Sequence, residues 1–170
     1  MSHESHNSHS SQPMIDPDRI QVLHDAPARK GRYVLYWMQA SQRADCNHAL
    51  EYAVERANEL NQPVLAGFGL TDDFPEANLR HYAFMLAGLA RTSDDLQRRG
   101  VKLVVRLGRP DEVALELSAN ASLLVCDCGY LRVQREWRET LAVRADCPVH
   151  QVESDVIVTV ETVSDHEEYS

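Results

Sequence analysis

From Arg32 onward, short apolar runs alternate with longer stretches whose apolar residues recur every three or four positions. Tyr33-Val34-Leu35-Tyr36-Trp37-Met38 is the first run, rich in aromatic and β-branched types, and it predicts a buried strand. Residues 44–61 follow with Leu50, Ala53, Val54, Ala57 and Leu60 at helical spacing, one face turned inward. Pro63 restarts the chain, residues 64–70 read as a second strand, and Thr71-Asp72-Asp73 as a turn. Pro75 suits the first turn of the next helix, which runs to about Arg99, with residues 91–93 the place for a kink and Gly100 for a stop. Residues 101–107 form a third strand, 111–120 a short helix and 122–127 a fourth strand. Residues 132–144 then form a helix and 149–153 a fifth strand, which Val156-Ile157-Val158 either continue or flank. No repeat at a solenoid period interrupts this rhythm.

Five mostly apolar strands separated by helices predict an α/β fold. The expected sheet is Rossmann-like, five-stranded and doubly wound, all parallel in order 3-2-1-4-5, and covered on both faces. Such sheets bind ligands in the crevice at the carboxyl ends of the first and fourth strands, here residues 37–43 and 127–132. Residues 1–30 hold Ser, His, Pro and Asp with few large apolars and read as a disordered arm, from which Ile20, Val22 and Leu23 can pack a short segment against the domain. His3, His6 and His9 recur at intervals of three, a weak chelating pattern that a disordered tail explains better. The domain proper is assigned to residues 31–155, and residues 156–170 to the start of a linker.

Length and composition narrow the function. A chain of 170 residues with 44% apolar content suffices for one domain with a sizeable core. It has no apolar run of membrane-spanning length, and Met1 to Pro13 is not a secretory signal, so no membrane partner is expected and the cytoplasm is the expected location. Lys and Arg total 17 against 26 acidic residues, a net charge of −9, which argues against DNA binding by this chain itself. Arg132, Arg135 and Arg138 share a helix face, but Glu136 and Glu139 interleave with them, as on a solvated helix. Cys46, Cys126, Cys128 and Cys147 form no Cys-x-x-Cys pair and are expected as reduced, structural thiols without a metal.

The crevice lacks the usual phosphate chemistry. Its first loop, Gln39-Ala40-Ser41-Gln42-Arg43, contains no glycine, whereas Gly67 and Gly69 lie inside a strand and Gly100 and Gly108 bracket another. A universal-stress-protein reading would want a glycine-rich ATP loop late in the chain. Nucleophilic catalysis has no Gly-x-Ser-x-Gly elbow and no Cys/His context, and His48 and His81 read as surface or boundary residues on helices. Asp127 ends a buried strand at the switch point, where it either orients a ligand hydroxyl or N–H or caps the following turn. Trp37, Met38 and Tyr130 as walls, with Arg43, Asn47 and Asp127 as polar groups, suit a flat conjugated ligand. Core packing of Trp37 and Met38 is the equal alternative.

Several blocks in register carry a resemblance. The most specific is Arg80-His81-Tyr82-Ala83-Phe84-Met85-Leu86-Ala87-Gly88-Leu89, followed by Gly129-Tyr130-Leu131-Arg132-Val133-Gln134-Arg135-Glu136-Trp137. Val34 to Met38, Gln42-Arg43 with Asn47-His48-Ala49-Leu50, Phe68 to Phe74, and Ser164 to Tyr169 complete the set. Together, over residues 32–170, they resemble the amino-terminal domain of class II DNA photolyases. The match falters where Glu153-Ser154-Asp155-Val156 replaces an Asp-Ala-His-Asn-like run and Thr159 a connector proline.

The resemblance implies a light-harvesting α/β module that holds an antenna chromophore, often 8-hydroxy-5-deazaflavin. The antenna passes excitation to reduced FAD in a separate helical domain, which grips DNA and splits the pyrimidine dimer. It implies Trp37 and Met38 as antenna contacts and Asn47 and Asp127 as polar anchors, with Arg43 and Cys128 completing the cofactor-binding set; no residue here is expected to be catalytic. FAD and damaged DNA are reached only through an FAD-binding photolyase domain on another chain or in the intact gene. The chain, about a third of the family's usual length, is therefore expected to be inactive in repair by itself. The alternative from a different class is a stand-alone, non-catalytic α/β module for small-molecule binding or interaction.

Overall fold

Residues 15–27 and 29–158 are the part of the chain that this computed structural model describes. In chain order the elements are β1 (Ile20–His24), β2 (Tyr33–Trp37), α1 (His48–Leu60), β3 (Val64–Leu70), α2 (Leu79–Arg98), β4 (Lys102–Leu107), α3 (Pro110–Ser118), β5 (Ala121–Asp127), α4 (Arg132–Arg144) and β6 (Val149–Val152). A single 3-10 turn at Pro17–Arg19 precedes them.

The strands form one six-stranded sheet in the order β1-β6-β5-β2-β3-β4. Strands β6, β5, β2, β3 and β4 run parallel to their neighbours, and β1 pairs antiparallel with β6. The α/β, Rossmann-like expectation stands, but the all-parallel sheet of five strands in order 3-2-1-4-5 does not describe this molecule: the sheet is mixed and has a sixth strand.

That strand also corrects the reading of residues 15–27 as part of a free arm. Gln21 and Gln151 face each other across the new edge, and Val22 pairs with His150. An edge strand is held largely by its backbone ladder, and of the apolar residues expected to pack here Ile20 and Leu23 lie against the core clusters while Val22 stays exposed. Two anchors fix it. Ile15 is buried in the core, and the Arg19 guanidinium donates to the carbonyls of Glu153, Val156 and Ile157 at 3.2, 2.9 and 2.6 Å. Those last contacts hold residues 156–157 outside the sheet, so Val156-Ile157-Val158 does not extend β6. His3, His6, His9 and the Ser164–Tyr169 block lie outside the described residues.

Period-two alternation divides the core between the two faces of the sheet. Val34, Tyr36 and Met38 join Leu50, Ala53 and Ala57 of α1 and Leu96 of α2 on one face. Leu35 and Trp37 join Val113 and Leu117 of α3 and Trp137 and Leu141 of α4 on the other. Helices α1 and α2 begin where a side chain satisfies their free amides. Asn47 accepts from the Leu50 amide at 3.0 Å to start α1, later than the expected residue 44. Asn78 caps α2 and His81 reciprocates, so Pro75 lies outside that helix. Helix α2 then runs unbroken through residues 91–93.

Glycines in β3 serve packing. A Cβ on Gly67 would stand 2.7 Å from a Leu117 methyl, and one on Gly69 would stand 2.5 Å from the Pro110 backbone. Their absence lets α3 lie close against the sheet. Among the described residues, no helix is long and apolar enough to cross a membrane.

Candidate functional site

At the carboxyl end of β5, Asp127 is 2% exposed and its carboxylate is fully engaged. It accepts from the backbone amides of Gln39 at 3.3 Å, Ala40 at 3.1 Å and Ser41 at 2.8 Å, and from the Tyr36 hydroxyl at 3.2 Å. Three successive amides aimed at one anion are what a phosphate-binding loop offers a nucleotide. Here the protein's own carboxylate takes that place, and these three amides of the loop after β2 are occupied. Burial pushes the Asp127 carboxyl above its ordinary range, while the amides of Ser41, Ala40 and Gln39 pull the other way by favouring the anion.

Asn47 locks the same loop from beneath. Its Nδ2 donates to the Tyr36 hydroxyl at 2.8 Å, the Ser41 carbonyl at 3.1 Å and the Arg43 carbonyl at 3.0 Å. Burial, then the neighbouring Asp127, raise the Tyr36 hydroxyl well above the usual tyrosine value, so it stays a neutral donor. Arg43 and Ser41 both donate to Asp155, at 3.0 and 2.9 Å, which closes the outer side of the loop.

The structure therefore brings Asn47, Arg43 and Asp127 together around residues 39–43, as a support for that loop. Trp37 and Met38, 2% and 0% exposed, are adjacent in the chain and so point into opposite core layers. Cys128 stands apart in a smaller cavity of about 170 Å³ that it shares with Tyr130, Arg138 and Glu153, and burial raises its thiol pKa. The capping role left open for Asp127 is the one its hydrogen bonds display.

The larger cavity opens beside this network. It measures about 660 Å³ and lies between the loop after β2, the end of β3 and the first turns of α2. None of the six residues expected to hold a cofactor lines it. The expected crevice between residues 37–43 and 127–132 is instead filled by the Asp127 hydrogen bonds, which displaces the opening toward β3. Phe68, Phe74, Tyr82 and Met85 form its apolar walls, with Phe84 on the rim. Gln39, Gln42, Thr71, His81 and Gln134 supply polar groups around them.

This volume and balance suit a small-molecule site. The sequence marks residues 80–89 and 68–74 as motifs and not as a site. The signal in them is the stripe Tyr82, Met85, Leu89, Thr92 and Leu96. Its last three members are buried and its first two are only half-buried, facing the cavity. No cluster of metal-binding side chains occurs among the described residues.

Comparisons with known proteins show the family of the chain. A DNA photolyase family model matches residues 34–170. A deoxyribodipyrimidine photo-lyase of Methanothermobacter thermautotrophicus is 51% identical over 158 residues, which cover 92% of this chain and 36% of that protein. A second, from Oryza sativa subsp. japonica, is 34% identical over 163 residues, covering 89% and 32%. The chain thus spans about a third of the length of the curated relatives it matches.

Among solved structures, a bacterial class III photolyase from Agrobacterium tumefaciens aligns with a TM-score of 0.60 at 21% identity, over 75% of this chain and 27% of that one. The universal stress protein UspA from Lactobacillus plantarum aligns at 0.54 and 15% identity, over 73% and 99%. Both likenesses concern the fold. From the family match and the sequence identity together, the chain belongs to the DNA photolyase family and corresponds to its amino-terminal domain.

Proposed function

We propose that this chain is the light-harvesting part of a class II deoxyribodipyrimidine photolyase, and that the 660 Å³ cleft holds its antenna chromophore. The observation that carries the reading is the composition of that cleft. Aromatic and thioether side chains of Phe68, Tyr82 and Met85 share its lining with the amide side chains of Gln39, Gln42 and Gln134. A planar conjugated ring gains stacking area from the first group and orientation from the second. 8-Hydroxy-5-deazaflavin has that shape and is the chromophore we assign.

Within this reading the residues divide by task. Tyr82, Met85 and Phe68 hold the ring, Gln39, Gln42 and Gln134 orient it, and Phe84 shields its open edge. Asp127, Asn47 and Arg43 fix the loop that presents Gln39 and Gln42, while Trp37 and Met38 pack beneath it. The chromophore when bound supplies light absorption and passes its excitation onward. Dimer splitting belongs to reduced FAD in a helical domain supplied by another chain or by further sequence of the same gene. Damaged DNA is that domain's partner, consistent with the net charge of −9 here. The four free cysteines suit a reducing compartment such as the cytoplasm.

Two titrations test the proposal. Purified chain mixed with 8-hydroxy-5-deazaflavin is expected to quench or shift its fluorescence and to retain it on gel filtration. Adding an FAD-loaded photolyase helical domain is expected to give light-dependent repair of irradiated DNA that neither component shows alone. No retention would remove the antenna reading, and repair by the isolated chain would remove the division of labour.

A further inference from the structure

Behind the cleft wall lies a recess of about 10 Å³, lined by Trp37, Gln39, Asp127, Gly129, Gln134 and Arg138. Two buried polar atoms belonging to its lining residues have no hydrogen-bond partner in the protein: the indole Nε1 of Trp37 and the Oε1 of Gln39. Trp37 is 2% exposed, so its N–H has no access to bulk solvent. An orphaned indole donor and an orphaned amide acceptor beside one small polar recess each carry an uncompensated desolvation cost if left unmet. A recess of this size admits one water molecule, and that water has the two to four polar partners it needs.

Gln39 and Gln134 line both this recess and the main cleft. The two cavities therefore share a wall, and the amide of Gln39 belongs to that wall. Its Oε1 end is buried without a partner, whereas its Nε2 end neither makes a hydrogen bond to protein nor is sealed from solvent.

We infer that Trp37 is a positioning residue. Its indole N–H donates to a single water in the recess, that water donates to Gln39 Oε1, and the Gln39 amide is thereby turned so that its N–H₂ faces the cleft. The chain of hydrogen bonds gives the cleft a fixed donor at this point. The ligand accordingly presents an acceptor there, a carbonyl oxygen or an unprotonated ring nitrogen, and a ligand with an N–H at that position is rejected because two donors would meet. This deepens the proposed antenna site and rests on it for the ligand, while the link from indole to water stands on the recess alone.

The chain contains two tryptophans, so Trp137→Phe leaves Trp37 as the single indole. In that background, the ultraviolet resonance Raman band that reports indole N–H hydrogen bonding is expected at its hydrogen-bonded position without any ligand. Replacing Trp37 by benzothienylalanine keeps the ring shape and removes the donor. Binding of 8-hydroxy-5-deazariboflavin is then expected to weaken about three- to tenfold, the effect of one neutral hydrogen bond. Gln39→Leu, at a partly exposed site, is expected to weaken it similarly, and the two changes together no further, because they break one chain.

A band at the free N–H position overturns the inference. So does undiminished binding by the benzothienyl protein when Gln39→Leu weakens it, or fully additive losses. Should the unmodified chain fail to bind the probe, the antenna reading fails separately, and the Raman band alone decides whether Trp37 holds the water.

Discussion

The loop after β2 and the first half of α2 face one cleft from opposite sides, yet they are built by opposite means. Residues 39–43 are pinned: Asp127, Asn47 and Asp155 contribute the hydrogen bonds described above to a segment only five residues long. Residues 79–88 are held at their start by the Asn78 cap and beyond it are mainly apolar, with Leu79 84% and Phe84 83% exposed and only Tyr82 and Met85 half-buried. A buried polar network fixes one geometry because leaving any member unpaired is expensive. An exposed apolar helix face waits for something to cover it. One side is thus a rigid reference wall, and the other is where a ligand finds surface to bury.

Breaking the rigid wall should have the largest effect. Asp127→Ala leaves three loop amides and a buried tyrosine hydroxyl without their acceptor, and is expected to cost about 3 kcal/mol or more in urea unfolding. Asp127→Asn, which keeps one acceptor oxygen, should lose less. If Asp127→Ala were nearly neutral, the carboxylate would not be the loop's anchor.

Next comes Asn47→Ala, which removes a helix cap and three donated hydrogen bonds, for an expected loss of about 2 kcal/mol. Asn47→Asp sharpens the test. It restores the cap but not the donors, and it sets a second carboxylate near Asp127 through Tyr36, so recovery should be partial at best.

On the other wall, Phe84→Ser should leave stability within about 0.5 kcal/mol, as an exposed site does, while weakening chromophore retention severalfold. Loss of fold in this variant would mean that the face is structural after all.

The smallest expected effect lies away from the cleft, where His150 stacks on Tyr52 with ring centroids 5.9 Å apart and shares a 2.8 Å hydrogen bond with its hydroxyl. Burial lowers the His150 pKa, with Arg56 adding to the shift. The unfolded chain therefore takes up this proton before the folded one does. The His150 contribution to stability is fully present above the ordinary histidine value near 6.5 and declines as pH falls below it toward the lowered folded value. Unfolding midpoints measured from pH 7.5 down to 5.5 should fall less for His150→Gln than for the unmodified chain.

The contrast between the walls also explains what was legible in the residues. Strands such as Tyr33–Trp37 and Ala121–Asp127 announce themselves because burial on both faces demands continuous apolar runs. Ile20–His24 does not, because an edge strand is held by backbone pairing that leaves little trace in side chains. Asp127 was identified as a residue at the switch point, but only its tertiary contacts decide between capping the loop and touching a ligand. Trp37 and Met38 were grouped as walls of one crevice, although strand alternation sends neighbours to opposite faces. The cleft itself was hidden for a physical reason. Its walls come from a loop, a strand end and a helix start that are distant in sequence, and its position depends on Asp127 having filled the usual crevice.

We place the ligand site between residues 39–42 and the start of α2, with the Asp127 network behind it as support. Backbone and side-chain chemical shifts of the isotopically labelled chain, followed during titration with 8-hydroxy-5-deazaflavin, test it most directly. The largest changes are expected on Gln39, Gln42, Thr71, Tyr82, Phe84 and Met85, with smaller ones at Asp127 and Asn47. Saturable binding whose largest shifts cluster instead around Cys128, Tyr130 and Arg135, or an unchanged spectrum, would contradict it.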